Sequence, residues 1–139
     1  MKIFIDCEFN EFRGELISMA LVDENGREFY QSVGCVNPGA WVAEHVMPII
    51  GIDSVSMQHL QARLCDWLYD YDSIHVIADW PEDIEHFCRS LIIEPGRRIS
   101  TPPLTMEVRR DLDALSAIPH NALEDAKAIR LKYIELKRA

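Results

Sequence analysis

Residues 2–9, KIFIDCEF, alternate apolar and polar positions, and the apolar members are β-branched or aromatic. Period-two alternation of that kind predicts a half-buried strand. A second apolar run, ELISMALVD over residues 15–23, ends at Asp23-Glu24-Asn25-Gly26. The Asn-Gly pair favours a tight hairpin turn. Residues 27–34, REFYQSVG, then read as the return strand, so the chain opens with a three-stranded antiparallel meander.

Beyond the turn Asn37-Pro38-Gly39 the period changes. Residues 40–47 predict a short helix stopped by Pro48. A second helix, capped by Ser54 or Ser56, runs to about Tyr71 on the apolar set Leu60, Leu64, Trp67, Leu68 and Tyr71, spaced by threes and fours. Residues 73–78 predict a short buried strand. Asp79-Trp80-Pro81-Glu82-Asp83 opens a third helix, with Pro81 at a position favoured in a first turn. Its stripe is Ile84, Phe87 and Leu91, and Glu94-Pro95-Gly96 ends it. Residues 97–104 predict an edge strand interrupted by Pro102 and Pro103. Residues 105–117 read as partly helical, and a final helix covers residues 122–137. The expected architecture is one α/β domain, residues 1–139: a mixed sheet that opens with the meander, with helices on its faces. An opening meander is unlike a doubly wound dinucleotide fold, which begins with βαβ.

Composition narrows the class. A hydrophobic fraction of 48% with 27% charged residues supplies a globular core. The first apolar run is too short for a signal peptide or a membrane span, which points to a cytoplasmic protein without membrane attachment. Cys7, Cys35, Cys65 and Cys88 form no C-x-x-C pair and read as reduced, packed thiols. The net charge of −9 argues against a broad basic grip on nucleic acid. It leaves room for an enzyme that touches a few terminal nucleotides, and two bound divalent cations would cancel much of the local charge.

The candidate chemistry lies in acidic residues set among apolar ones. Asp6 and Glu8 are two apart on the first strand and share a face. Side-by-side carboxylates in an apolar setting need a cation or donors to compensate, although a solvated face would also accept them. Asp79 closes a buried strand and Asp83 enters the next helix. Such strand-to-helix junctions often carry sites, and equally often a simple acidic cap. His120 precedes the last helix and Asp125 lies in its first turn. Ala126, Ala128 and Ile129 let that helix approach a sheet closely, bringing Asp125 beside Asp6 and Glu8. Together these carboxylates could cage two hard cations. Two such ions can clamp an in-line phosphoryl displacement, and a nearby imidazole can take the proton of the attacking water.

With those residues in place, the sequence resembles the DEDDh branch of the ribonuclease T-like 3′-5′ exonucleases. The first motif is similar to Asp6-Cys7-Glu8-Phe9, and the third to His120-Asn121-Ala122-Leu123-Glu124-Asp125-Ala126. The second motif aligns as Asp79, Asp83 and Phe87, with Asp79 where the family carries Asn. That register gives Asp83 the ligand role and keeps Asp79 as its rival. Glu15-Leu16-Ile17-Ser18, Trp41-Val42 and His45-Val46-Met47-Pro48 are similar to stretches of the small adenylate-favouring exoribonucleases. The resemblance implies a ribonuclease H-like fold, an antiparallel three-strand meander plus strands parallel to the first, and two divalent cations, Mg²⁺ or Mn²⁺, on Asp6, Glu8, Asp83 and Asp125. It implies His120 as general base, and a single-stranded 3′ end as substrate, RNA ahead of DNA. Nucleoside 5′-monophosphate would be the product, and a homodimer a common state.

The resemblance also implies that Phe9 shapes the pocket for the terminal nucleotide, where an aromatic ring could stack on a base. A core aromatic at a strand end is the competing role, and Asp79 is a second candidate substrate contact. Trp41 and Trp80 are further stacking candidates that could equally be structural. His45, His59, His75 and His86 read as surface or packing residues, and Arg130, Lys132, Lys137 and Arg138 as a solvated basic helix face. Two other functions share these features: a DNA exonuclease, and a catalytically silent nucleic-acid-binding protein.

Overall fold

The computed structural model describes the whole chain, Met1–Ala139. Strands β1 (Lys2–Phe9), β2 (Leu16–Asp23) and β3 (Glu28–Ser32) form the expected antiparallel meander. The turn between β2 and β3 places Gly26 at φ 94°, a left-handed conformation that glycine adopts without strain. Asp23 Oδ1 accepts from the amides of Asn25 and Arg27, which fixes the register.

Helix α1 (Ala40–His45) is followed by a 3₁₀ turn, Met47–Ile49. Pro48 was expected to stop the helix. The helix instead ends before it, and Pro48 lies in the first turn of the 3₁₀ segment, where a missing N–H costs nothing. Helix α2 (Met57–Leu68) is capped by Ser56, whose side chain accepts from the His59 amide. Strand β4 (Ile74–Ala78) leads into α3 (Pro81–Ser90).

Three expectations between residues 90 and 117 fail. Glu94-Pro95-Gly96 does not end α3; it is the turn of a small hairpin, β5 (Ile92–Glu94) with β6 (Arg97–Arg98). The edge strand, β7 (Leu104–Val108), follows Pro102 and Pro103 rather than containing them, and residues 105–117 hold no helix. Proline lacks the donor a ladder needs, so pairing starts only after the pair. Leu104 to Val108 then match Ile74 to Ala78 one for one. Helix α4 (Ala122–Arg138) closes the chain.

The main sheet has five strands in the order β3-β2-β1-β4-β7. β4 is parallel to β1, and β7 to β4, so the sheet is mixed, as expected. Alternation along β1 divides the core. Ile3, Ile5 and Cys7 face α2 and α3, packing with Leu60, Leu64, Leu68 and Phe87. Phe4 packs on the other face with Ile129 and Tyr133 of α4. Ala122 and Ala126 seat α4 against Ala20 and Val22 of β2, and their small side chains allow the helix to approach closely. No helix is long and apolar enough to cross a membrane, and all four cysteines are free thiols.

Candidate functional site

Asp6 and Glu8 continue the α4-facing side of β1 beyond Phe4, where the apolar filling gives way to carboxylates. β1 and β4 are parallel, so their carboxyl ends lie together, and Asp79 follows the last residue of β4. Asp83 lies in the first turn of α3 and Asp125 in the first turn of α4. Asn121 caps α4, its Oδ1 accepting from the Glu124 amide while its Nδ2 donates to the Ile49 carbonyl. That second bond ties the start of α4 to the turn after α1.

The acidic side chains assemble into two groups with one member in common. Oxygens of Asp6, Glu8 and Asp125 lie within 4.8 Å of one another, and so do those of Asp6, Asp79 and Asp83. Asp79 and Asp83, rivals in the sequence, therefore both reach Asp6. Asp83 is fully buried; its Oδ1 accepts from the Cys7 amide at 3.2 Å, and its Oδ2 has no protein partner. Asp6 Oδ2 is likewise buried without a partner. Orphaned buried carboxylate oxygens are costly and need a compensating charge.

The electrostatics agree. Burial, then the charges of Asp83, Glu8, Asp125 and Asp79, raises the Asp6 carboxyl well above its ordinary range. Burial raises Asp83 too, with Asp79 the next cause and the Cys7 amide opposing. Burial, then Asp125 and Asp83, pushes Glu8 up to about 9. Asp125 is raised by burial, against bonds from Ser116 and the His120 amide. Asp79 is raised by burial, with Arg110 pulling it down. An all-oxygen donor set with unmatched negative charge fits hard divalent cations. Asp6, Glu8 and Asp125 would hold one ion, and Asp6, Asp79 and Asp83 the other.

His120 borders the same site. Asp6, Asp79, Ser116, His120 and Asp125 line one cleft of about 330 Å³, closed on one side by Ala128 and Ile129 of α4. His120 has φ 71°, a left-handed conformation uncommon outside glycine, and its amide donates to Asp125 Oδ2 at 3.1 Å. The ring of Trp41 meets the imidazole edge-on at 4.9 Å and stacks on His45 at 4.6 Å. Phe9 sits nearby but has one neighbour already: its ring stacks on buried His86 at 5.0 Å.

Other sequence candidates lie away from the site. His75 bridges Thr105 and Glu107 at the start of β4, and His59 bonds Arg63. Arg130 donates to the Glu24 carbonyl. Three residues near the site were given no role from the sequence: Ser116, Asn121 and Arg110. Only Asn121 had a readable signal, as the polar residue directly before a helix. Compared with known proteins, the chain matches no protein-family model and no curated protein sequence.

Proposed function

We propose that the chain is a two-metal-ion 3′-5′ exoribonuclease with a ribonuclease H-like fold. The observation that carries this reading is the pair of carboxylate triads sharing Asp6. A mixed sheet opening with a meander and extended by parallel strands is compatible with that fold. The free thiols fit a reducing compartment such as the cytoplasm.

When bound on Asp6, Glu8, Asp79, Asp83 and Asp125, two Mg²⁺ or Mn²⁺ ions would activate the attacking water and stabilise the leaving 3′-oxygen. The chain's own residues divide the remaining work. The carboxylates fix the ions, with Asp83 held in place by the Cys7 amide. His120 lines the same cleft as Asp6 and accepts the proton of the attacking water. Trp41 supports its ring from the side. The product is a nucleoside 5′-monophosphate from the 3′ end of a single strand.

The test is a 5′-labelled oligoribonucleotide incubated with the protein and Mn²⁺. The proposal expects stepwise shortening from the 3′ end with nucleoside 5′-monophosphate released, and no release by Asp6→Ala or Asp125→Ala. A matched deoxyribonucleotide cut faster would move the assignment to DNA. Folded wild-type protein that releases no mononucleotide from either strand would refute the nuclease reading.

A further inference from the structure

The cleft is strongly acidic, yet its proposed substrate is a polyanion. One fixed cation sits beside it. Arg110, two residues beyond β7, donates from Nη1 to the Asp79 carbonyl at 2.7 Å. Its guanidinium lies over the Trp80 ring, 4.8 Å from the centroid. The indole is itself fixed by a bond from Nε1 to Glu82 Oε1 at 3.1 Å.

Arg110 differs from the neighbouring Arg109. Arg109 is neutralised by Asp111 at 2.6 Å and approached by Glu107. Arg110 is exposed and forms no salt bridge, and its Nη2 and Nε have no protein partner. Stacking and the carbonyl bond preorganise the guanidinium, so little further freedom is lost when it meets a ligand. A preorganised, unpaired arginine at the rim of an anionic cleft suits a phosphate oxygen. Arg110 does not line the cleft that holds Asp6 and Asp125, so the phosphate it meets is not the one being cut.

We propose that Arg110, presented by Trp80 and the Asp79 carbonyl, binds the phosphate on the 5′ side of the scissile one. This rests on the exonuclease reading and adds a substrate requirement to it. A strand with at least two phosphodiesters engages both the carboxylate site and Arg110, whereas a dinucleoside monophosphate engages only the first.

The experiment compares ApApA with ApA in Mn²⁺, for the wild-type chain, Arg110→Ala and Arg110→Gln. The glutamine keeps a donor for the Asp79 carbonyl while removing the charge. The wild type is expected to favour ApApA about tenfold in kcat/KM, the low end for a charge-assisted hydrogen bond. In both variants that ratio is expected to fall to about one, with the loss carried by KM on ApApA. A wild-type ratio near one, or a ratio that both variants keep, including through an equal loss on both substrates, overturns the role of Arg110. Wild-type protein that cuts neither substrate refutes the exonuclease reading itself, a result distinct from the previous one.

Discussion

Asp83 accepts the amide proton of Cys7 at 3.2 Å, and Cys7 is the residue between Asp6 and Glu8. This single bond joins the first turn of α3 to the centre of the sheet at the point where the carboxylates converge. It uses Asp83 Oδ1 and leaves Oδ2 buried and without a partner beside Asp6. The carboxylate is thus positioned by one oxygen while the other is available to a cation.

That division separates the effects of two similar substitutions. Asp83→Asn keeps an acceptor for Cys7 but loses the anionic oxygen, whereas Asp79 is only partly buried and already opposed by Arg110. Asp83→Asn is therefore expected to lower kcat more than Asp79→Asn. Steady-state rates in Mn²⁺ decide the order, and the reverse order would exchange their roles.

Asp6→Asn should trade activity for stability. The wild-type protein holds Asp6 Oδ2 buried and unpaired, a cost of about 1–3 kcal/mol or more for a charged group. In EDTA the variant is expected to melt about 3–10 °C higher than wild type while losing nuclease activity. Calorimetric scans of the two proteins check this, and a lower melting temperature would mean that the carboxylate is compensated internally.

The same crowding sets a pH dependence. Burial and its acidic neighbours push Glu8 from 4.5 up to about 9, and Asp6 and Asp83 also rise. Across that interval the folded state retains protons that the unfolded state has released. Stability in EDTA therefore falls as pH rises from 4.5 toward 9, being greatest where the groups are protonated in both states. Saturating Mn²⁺ binds the ionised forms and should reverse the trend over the upper part of the range. Melting curves at several pH values, with and without the ion, give the two slopes directly; a flat profile in EDTA would contradict the raised carboxyls.

His120→Ala is expected to slow single-turnover cleavage by about 10²–10⁴-fold, the usual loss for a general base. Calorimetric Mn²⁺ binding should be largely retained, because the imidazole belongs to neither carboxylate triad. A rate close to wild type at neutral pH would remove His120 from the proton transfer.

Asn121→Ala tests how the last helix is held. The side chain caps α4 and also grips the Ile49 carbonyl. Its loss is expected to cost about 1 kcal/mol as a cap alone. It should also lower kcat, since the turn it fixes carries both His120 and Asp125. Chemical denaturation measures the first effect and steady-state kinetics the second; lost stability with unchanged kcat would mean that the cap does not position the site.

Much of this arrangement was legible in the residues. β1 could be read from its β-branched and aromatic residues, and the strand period put Asp6 and Glu8 on one face. Ala126, Ala128 and Ile129 announced a helix able to lie close to the sheet, and the structure seats it through Ala122 and Ala126. The segment after α3 was not legible, because Leu104–Val108 has no strong local preference and gains its structure by pairing with β4. The choice between Asp79 and Asp83 could not be made from spacing. Asp79 precedes α3 and Asp83 lies in its first turn, and only the approach of Asp6 from another strand brings both into one group. Arg110 was invisible for the same reason: its partners, the Trp80 ring and the Asp79 carbonyl, come from thirty residues earlier.

The central claim is that Asp6 is shared by two cation sites. Crystals grown with Mn²⁺ and a nucleoside 5′-monophosphate, measured at the manganese absorption edge, test it most directly. The account predicts two anomalous peaks about 3.5–4 Å apart, both in contact with Asp6, one also with Glu8 or Asp125 and the other with Asp79 or Asp83. A single peak, or none at Asp6, would contradict it.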